Sequence, residues 1–280
     1  MKKILFLFLI ICFNCDKGNL TVLTDLPSVL NEVSGTETIA HSDLIWMLND
    51  GGNPNKIYGL NTKGKIKKEI LINAKNNDWE DLTSDELGNV YIGAFGNNLN
   101  NRKDLSVLKI NSEDLIGSEI AEIERISFYF PDQKKFPPKK KKMHFDCEAF
   151  FHFNDSLYMF TKSREEHHYG KTNLYKIPAV KGNHEAQFIA SFKTCDELPC
   201  WITSVDISNN GKQIALLTLD AVWLLSDYTK DNFFNGKAIQ ISFEHESQKE
   251  GVCFKNDSTL YITDERSHGK GRNLYELKIK

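Results

Sequence analysis

No apolar run in this 280-residue chain is long enough to cross a bilayer; the leading one, Ile4 to Phe13, falls well short. A Gly-rich nucleotide loop, a Ser-His-Asp signature and the spacing of a zinc site are also absent, which removes three common routes to a legible activity. Positive charge is not in excess either. Lys and Arg number 35 against 38 Asp and Glu, a net charge of -3, so there is no electrostatic footprint for nucleic acid and no such partner is expected.

What is present is a repeat. Glu32, Glu80, Glu148, Ser204 and Glu250 each open a short apolar strand, at spacings of 46 to 68 residues. A second apolar run follows each opener, as in Leu44 to Met47, Val90 to Ile92 and Leu157 to Phe160. Beyond a polar loop comes a third, such as Lys56 to Leu60 or Asn173 to Ile177, and then a weaker fourth, such as Ile126 to Phe130. Short β-branched and aromatic runs punctuated by Gly, Asn and Asp read as strands. Four strands per unit at this period predict an all-β chain, a β-propeller of five four-stranded blades. The last unit ends one strand short, and the lone run Asn19 to Leu23 is expected to complete it and close the ring. A six-bladed ring, the alternative, needs a further opener between Asn98 and Met143, and none is found there.

The expected organisation is a leader over residues 1–15 and one propeller domain over 19–280, acting as a monomer. Lys2 and Lys3 precede the apolar run, which marks export. Cys15 directly after that run resembles the lipobox of bacterial lipoproteins, although Asn14 stands where a small residue is usual. The resemblance implies lipidation at Cys15 and a cell-envelope protein held to a membrane by its lipid. Cys195 and Cys200, flanking Asp-Glu-Leu-Pro, are candidates for a loop disulfide. Cys147 and Cys253 read as small core residues on inner strands.

The inner strands of a propeller line its channel, so the openers form a ring there. Carboxylates crowded in such a ring repel one another unless a cation sits among them. Oxygen donors without His or Cys suit Ca²⁺. The second-to-third strand loops open on the same rim and carry Asp50, Asn53, Asn97, Arg102, Lys162, Arg164, His168, Asp264 and Arg266, a candidate cup for a small anionic ligand or a surface partner. The run Lys139 to Lys142 reads as a solvated loop between blades, with contact to an anionic surface as the other reading.

The order of openers resembles the calcium-activated nucleotidases of the apyrase type, five-bladed propellers holding one channel Ca²⁺. Here Glu32-Val33-Ser34, Glu80, Glu148, Ser204 and Glu250-Gly251 match that order, and the resemblance implies Ser34, Glu80, Glu148, Ser204 and Glu250 as ligands. Asn49 to Asn53, Asp78-Trp79-Glu80-Asp81 and Gly96 to Arg102 are more similar still to uncharacterised bacterial propeller lipoproteins, a family that brings no activity. Two functions follow as expectations: a calcium-containing binding propeller, or a calcium-dependent hydrolase of phosphoanhydrides or phosphoesters. If Cys15 carries the anchor, labelled palmitate enters the wild-type protein and not Cys15→Ala; equal labelling of both refutes the lipoprotein reading.

Overall fold

The computed structural model describes residues 19–279, so the leader and Cys15 lie outside the described residues. Five sheets form five blades. Blade 1 runs Val33–Thr38, Ile45–Asn49, Lys56–Leu60 and Ile66–Ile72; blade 2 Leu82–Ser84, Val90–Ala94, Ser106–Ile110 and Glu124–Tyr129. Blade 3 runs Asp146–Phe153, Ser156–Lys162, Lys171–Pro178 and Gln187–Lys193; blade 4 Ile202–Ile207, Gln213–Thr218, Ala221–Ser226 and Lys237–Ser242. Blade 5 takes Lys249–Asn256, Thr259–Asp264 and Asn273–Lys278 from the end of the chain and Thr21–Asp25 from its start. The ring closes as expected, two residues later in sequence than the run that suggested it. The five-bladed reading stands, and the stretch from Asn98 to Met143 supplies strands to blades 1 and 2 instead of a sixth blade.

Two sheets gain a fifth strand that the repeat did not announce. Ile120–Ala121, from the third-to-fourth connection of blade 2, pairs in parallel with the outer strand of blade 1, and Gly182–Glu185 of blade 3 does the same for blade 2. Each added strand covers an outer edge that would otherwise present unpaired backbone groups.

Side chains along a strand alternate between its two faces, and both faces of every blade are covered by a neighbour. Five apolar clusters result, one in each gap between blades. Phe150 turns toward blade 2 and meets Phe95 edge-on at 5.1 Å, while its neighbour Phe151 turns toward blade 4 and packs on Phe233 at 5.3 Å. Cys147 and Cys253 are buried and unpaired in these gaps. No helix among the described residues is long and apolar enough to cross a membrane.

Leu20 is buried in the gap between blades 4 and 5, and a fully buried leucine contributes about 1.5 to 3 kcal/mol. Deleting residues 19–25 removes it and bares the edge Asn273–Lys278, so the truncated protein should melt earlier or aggregate in a thermal scan. An unchanged melting temperature would mean that the ring closes by another route.

Candidate functional site

The openers reach the channel because the inner strands are irregular there. Register shifts between Cys147 and Ala149, Ile202 and Ser204, and Lys249 and Gly251 leave one unpaired residue on each inner strand, and a similar shift lies between Val33 and Thr36. An extra residue of this kind re-aims its side chain. In blades 3 and 5 the unpaired residues are Glu148 and Glu250. In blade 4 it is Thr203, one residue before the expected opener Ser204.

Above the ring lies a cavity of about 780 Å³, lined from the inner strands by Ser34, Glu80, Glu148 and Glu250 and from the rim by Asp50, Asp78, Lys162, Arg164, Trp201 and Glu265, among others. Eight carboxylates face it, against Lys162, Arg164 and Lys270. The cavity is therefore acidic, which runs against the expected anion cup.

Its charges are distributed unevenly. Lys162, buried on the end of its strand, sets its ammonium 3.1 Å from Glu148, and Arg164 reaches Glu148 at 3.2 Å and Asp146 at 2.6 Å. Both cations also lie over the Trp201 ring, at 5.0 and 4.9 Å from its centre, and the indole N–H donates to the Ser163 carbonyl at 2.7 Å. Burial pushes the Glu148 carboxyl up, but Lys162 and Arg164 outweigh it and hold Glu148 below the usual carboxylate range. Lys162 thus supplies inside the ring much of the counter-charge for which a metal was invoked.

The remaining acids have no such partner. Glu80 is 8% exposed and no protein donor reaches its carboxylate among the described residues. Burial, then Glu148 and Asp78, keep its pKa well above the usual value. Burial and the neighbouring Glu32 and Asp78 raise Asp50 to about 7. Burial raises Glu250 to about 7 although Lys162 pulls it back, and burial with Glu250 and Asp50 raises Glu265 to about 8. Gly96 is the reason that Glu80 Oε1 and Asp78 Oδ2 can approach one another: a side chain at position 96 would overlap both oxygens.

Several candidate residues sit elsewhere. Ser204 donates to Asp81 Oδ2 at 3.1 Å across the channel, below the cavity. Asn97 is buried, taking the Asp146 carboxylate on its backbone N–H at 2.8 Å and holding the turn at Asn101 and Arg102 with its side-chain oxygen. Arg102 pairs with Asp104 and donates to the Gly96 carbonyl at 2.6 Å, so it braces its loop instead of facing a ligand. Asp264 is buried and accepts from Ser247, Tyr275 and the Asn273 backbone. Asn53 bridges Glu32 and Asp50. His168 stands on the exterior beside Asp196 at 3.6 Å, and Arg266 is exposed outside the cavity lining. Cys195 and Cys200 are bonded, just ahead of Trp201. Sequence reasoning did not single out Asp78 or Trp201 as site residues; for Asp78 a signal existed, its place two residues before an opener.

No protein-family model matches the chain, and no curated protein does. Solved structures match its fold. A gluconolactonase from Xanthomonas campestris superposes with a TM-score of 0.53 at 9% identity, over 95% of this chain and 92% of its own. A second chain assigned to gluconolactonases gives 0.51 at 9% identity, over 94% of each. A virginiamycin B lyase from Staphylococcus aureus is more distant, with a TM-score of 0.43 at 14% identity over 91% of this chain and 69% of its own. Likeness at such identities establishes the propeller fold alone. It lends no support to the nucleotidase resemblance.

The raised carboxyls set a pH dependence. Asp50, Glu250 and Glu265 keep protons in the folded chain where the unfolded chain has released them, so their contribution is lost as pH rises through about 7 and 8. His144 and His152, both lowered by burial, act oppositely only below the ordinary histidine value of 6.5. In metal-free buffer the urea midpoint should therefore fall between about pH 6.5 and 8.5. Glu265→Gln should flatten the upper part of that fall; a midpoint that rises over this range would contradict the assignment.

Proposed function

We propose that the protein is an exported binding propeller, held to the cell envelope through Cys15, whose channel-mouth cavity takes a cation. The observation that carries this reading is the Glu80 carboxylate, buried, without a donor and brought against Asp78 over Gly96. Negative charge concentrated where no protein cation pairs with it is relieved either by protons or by a bound cation. Calcium is the ion we propose, because Asp78 and Glu80 offer hard oxygen donors. Among the described residues no three His, Cys, Asp or Glu side chains are gathered into a closed metal-ligating group. The ion would accordingly keep part of its water shell, which the flexible six- to eight-fold coordination of calcium permits.

Asp78 and Glu80 would hold the ion, with water completing its shell. Of the other expected ligands, Glu148 is committed to Lys162 and Arg164, Ser204 to Asp81 and the Ser34 hydroxyl to the Glu80 carbonyl, while Glu250 lines the same cavity. A bound calcium would supply positive charge next to the Lys162–Arg164 corner, which supports recognition of a small oxyanion bridging the two. A calcium-dependent phosphohydrolase is the second reading, favoured by that same pairing of an ion site with two fixed cations.

Calcium added to metal-depleted protein should raise its melting temperature, by about 2.7 kcal/mol of stability at a hundredfold excess over the dissociation constant. Glu80→Gln should abolish most of the response. A melting curve indifferent to millimolar calcium would sink the ion site and the hydrolase together, while phosphate release from nucleoside di- and triphosphates that stops with chelator would decide for the hydrolase.

A further inference from the structure

The most concentrated positive charge on the molecule lies outside the cavity. Between the outer strand of blade 2 and the inner strand of blade 3, residues 134–142 read Lys-Lys-Phe-Pro-Pro-Lys-Lys-Lys-Lys, six lysines in nine residues, in a chain whose net charge is negative. All six are exposed, and none makes an ion pair among the described residues. Like charges so close repel one another, and that cost is relieved by an anionic partner.

The loop is fixed in place. Lys140–Lys142 form a 3-10 turn, the Met143 carbonyl accepts from the Arg164 backbone at 2.8 Å, and buried Gln133 donates to the Asn100 carbonyl at 2.7 Å. The bond to Arg164 puts the end of the loop beside the cavity. Next to the lysines is a second, smaller cavity of about 180 Å³, walled by Leu105, Phe128, Phe130 and Phe136 with Arg102 and Lys103 at its side. Phe136 stands between Lys135 and Pro137, 39% exposed, with the Lys103 ammonium 5.1 Å from its ring centre.

We propose that this loop and its aromatic slot are a docking surface for an anionic phospholipid membrane. Lysines contact headgroups as point charges that need no fixed geometry, which suits a fluid surface better than it suits a single bidentate anion. An exposed aromatic among them belongs at the boundary between headgroup and acyl chain. The slot is what favours lipid over a soluble polyanion, because hydrocarbon fills a wall of Leu and Phe better than a densely charged sugar chain does. Of the acids around the loop, Asp132 accepts from the Tyr175 hydroxyl at 2.9 Å, Asp104 is taken by Arg102 and Glu185 by Tyr129.

The test uses residues 19–280, which contain the closed ring, so that no lipid anchor contributes. Sedimentation with vesicles of phosphatidylcholine alone is compared with vesicles of equal parts phosphatidylcholine and phosphatidylglycerol. The expected result is binding to the phosphatidylglycerol vesicles only, weakening with salt. Replacing Lys139, Lys140, Lys141 and Lys142 by Gln should lower that binding about a hundredfold or more. These side chains are exposed and unpaired, so the variant should keep the wild-type melting temperature. Phe136→Ser should reduce the binding that survives at high salt. Equal sedimentation with both vesicles, or undiminished binding by the four-Gln variant, would overturn the proposal, as would binding to a soluble sulfated polysaccharide without binding to vesicles. The outcome is independent of calcium in the cavity.

Discussion

Five inner strands converge on one narrow channel, and every carboxylate they carry there must find a donor or a counter-charge. Most of the polar architecture follows from that constraint. Asp81 is met by the backbone N–H groups of Leu82 and Val205 and by Ser204, which ties blade 2 to blade 4 across the axis and floors the cavity above. Asp206 takes the N–H groups of Ile207 and Phe254, joining blade 4 to blade 5. Glu37 is bonded to Ser84 through one oxygen only, and burial with Asp206 nearby raises its pKa. Glu148 is answered by Lys162 and Arg164. Glu80 alone of the buried openers is left without a donor among the described residues.

The same economy explains why so many rim residues support loops. Asn97, Arg102, Asp264 and Asn53 are polar, loop-borne and close to the channel, which is what a ligand contact looks like in sequence. In the fold they close hydrogen bonds within their own hairpins or across to Asp146, Gly96, Tyr275 and Glu32. A loop carrying backbone groups near a buried channel needs such partners. They hold the carboxylates apart at fixed positions and so shape the cavity without entering it.

Charge also divides the molecule by place. The cavity concentrates carboxylates and the loop over residues 134–142 concentrates lysines, while the whole chain stays near neutral at a net charge of -3. Neither extreme is visible in composition, because each cancels the other in the total. The carboxylates come from the inner strands and rim loops and the lysines from one loop between blades, and the gaps between blades carry the apolar packing.

The sequence by itself determined the five blades, the closure of the last one by the first strand, and the inward position of Glu80, Glu148 and Glu250. Those features follow from periodicity, since strand alternation and a repeated opener are local patterns. The sequence did not show that in blade 4 the unpaired position is Thr203, one residue before Ser204, because that register depends on pairing with Thr218 and Leu217. Only the tertiary structure decided that Lys162 and Arg164 face Glu148, that Asp81 crosses the channel to Ser204, and that Glu80 has no partner. Each of these contacts joins residues from different strands or blades, and the charge state of a buried carboxylate depends on what stands within a few ångströms of it, which no single stretch of chain records.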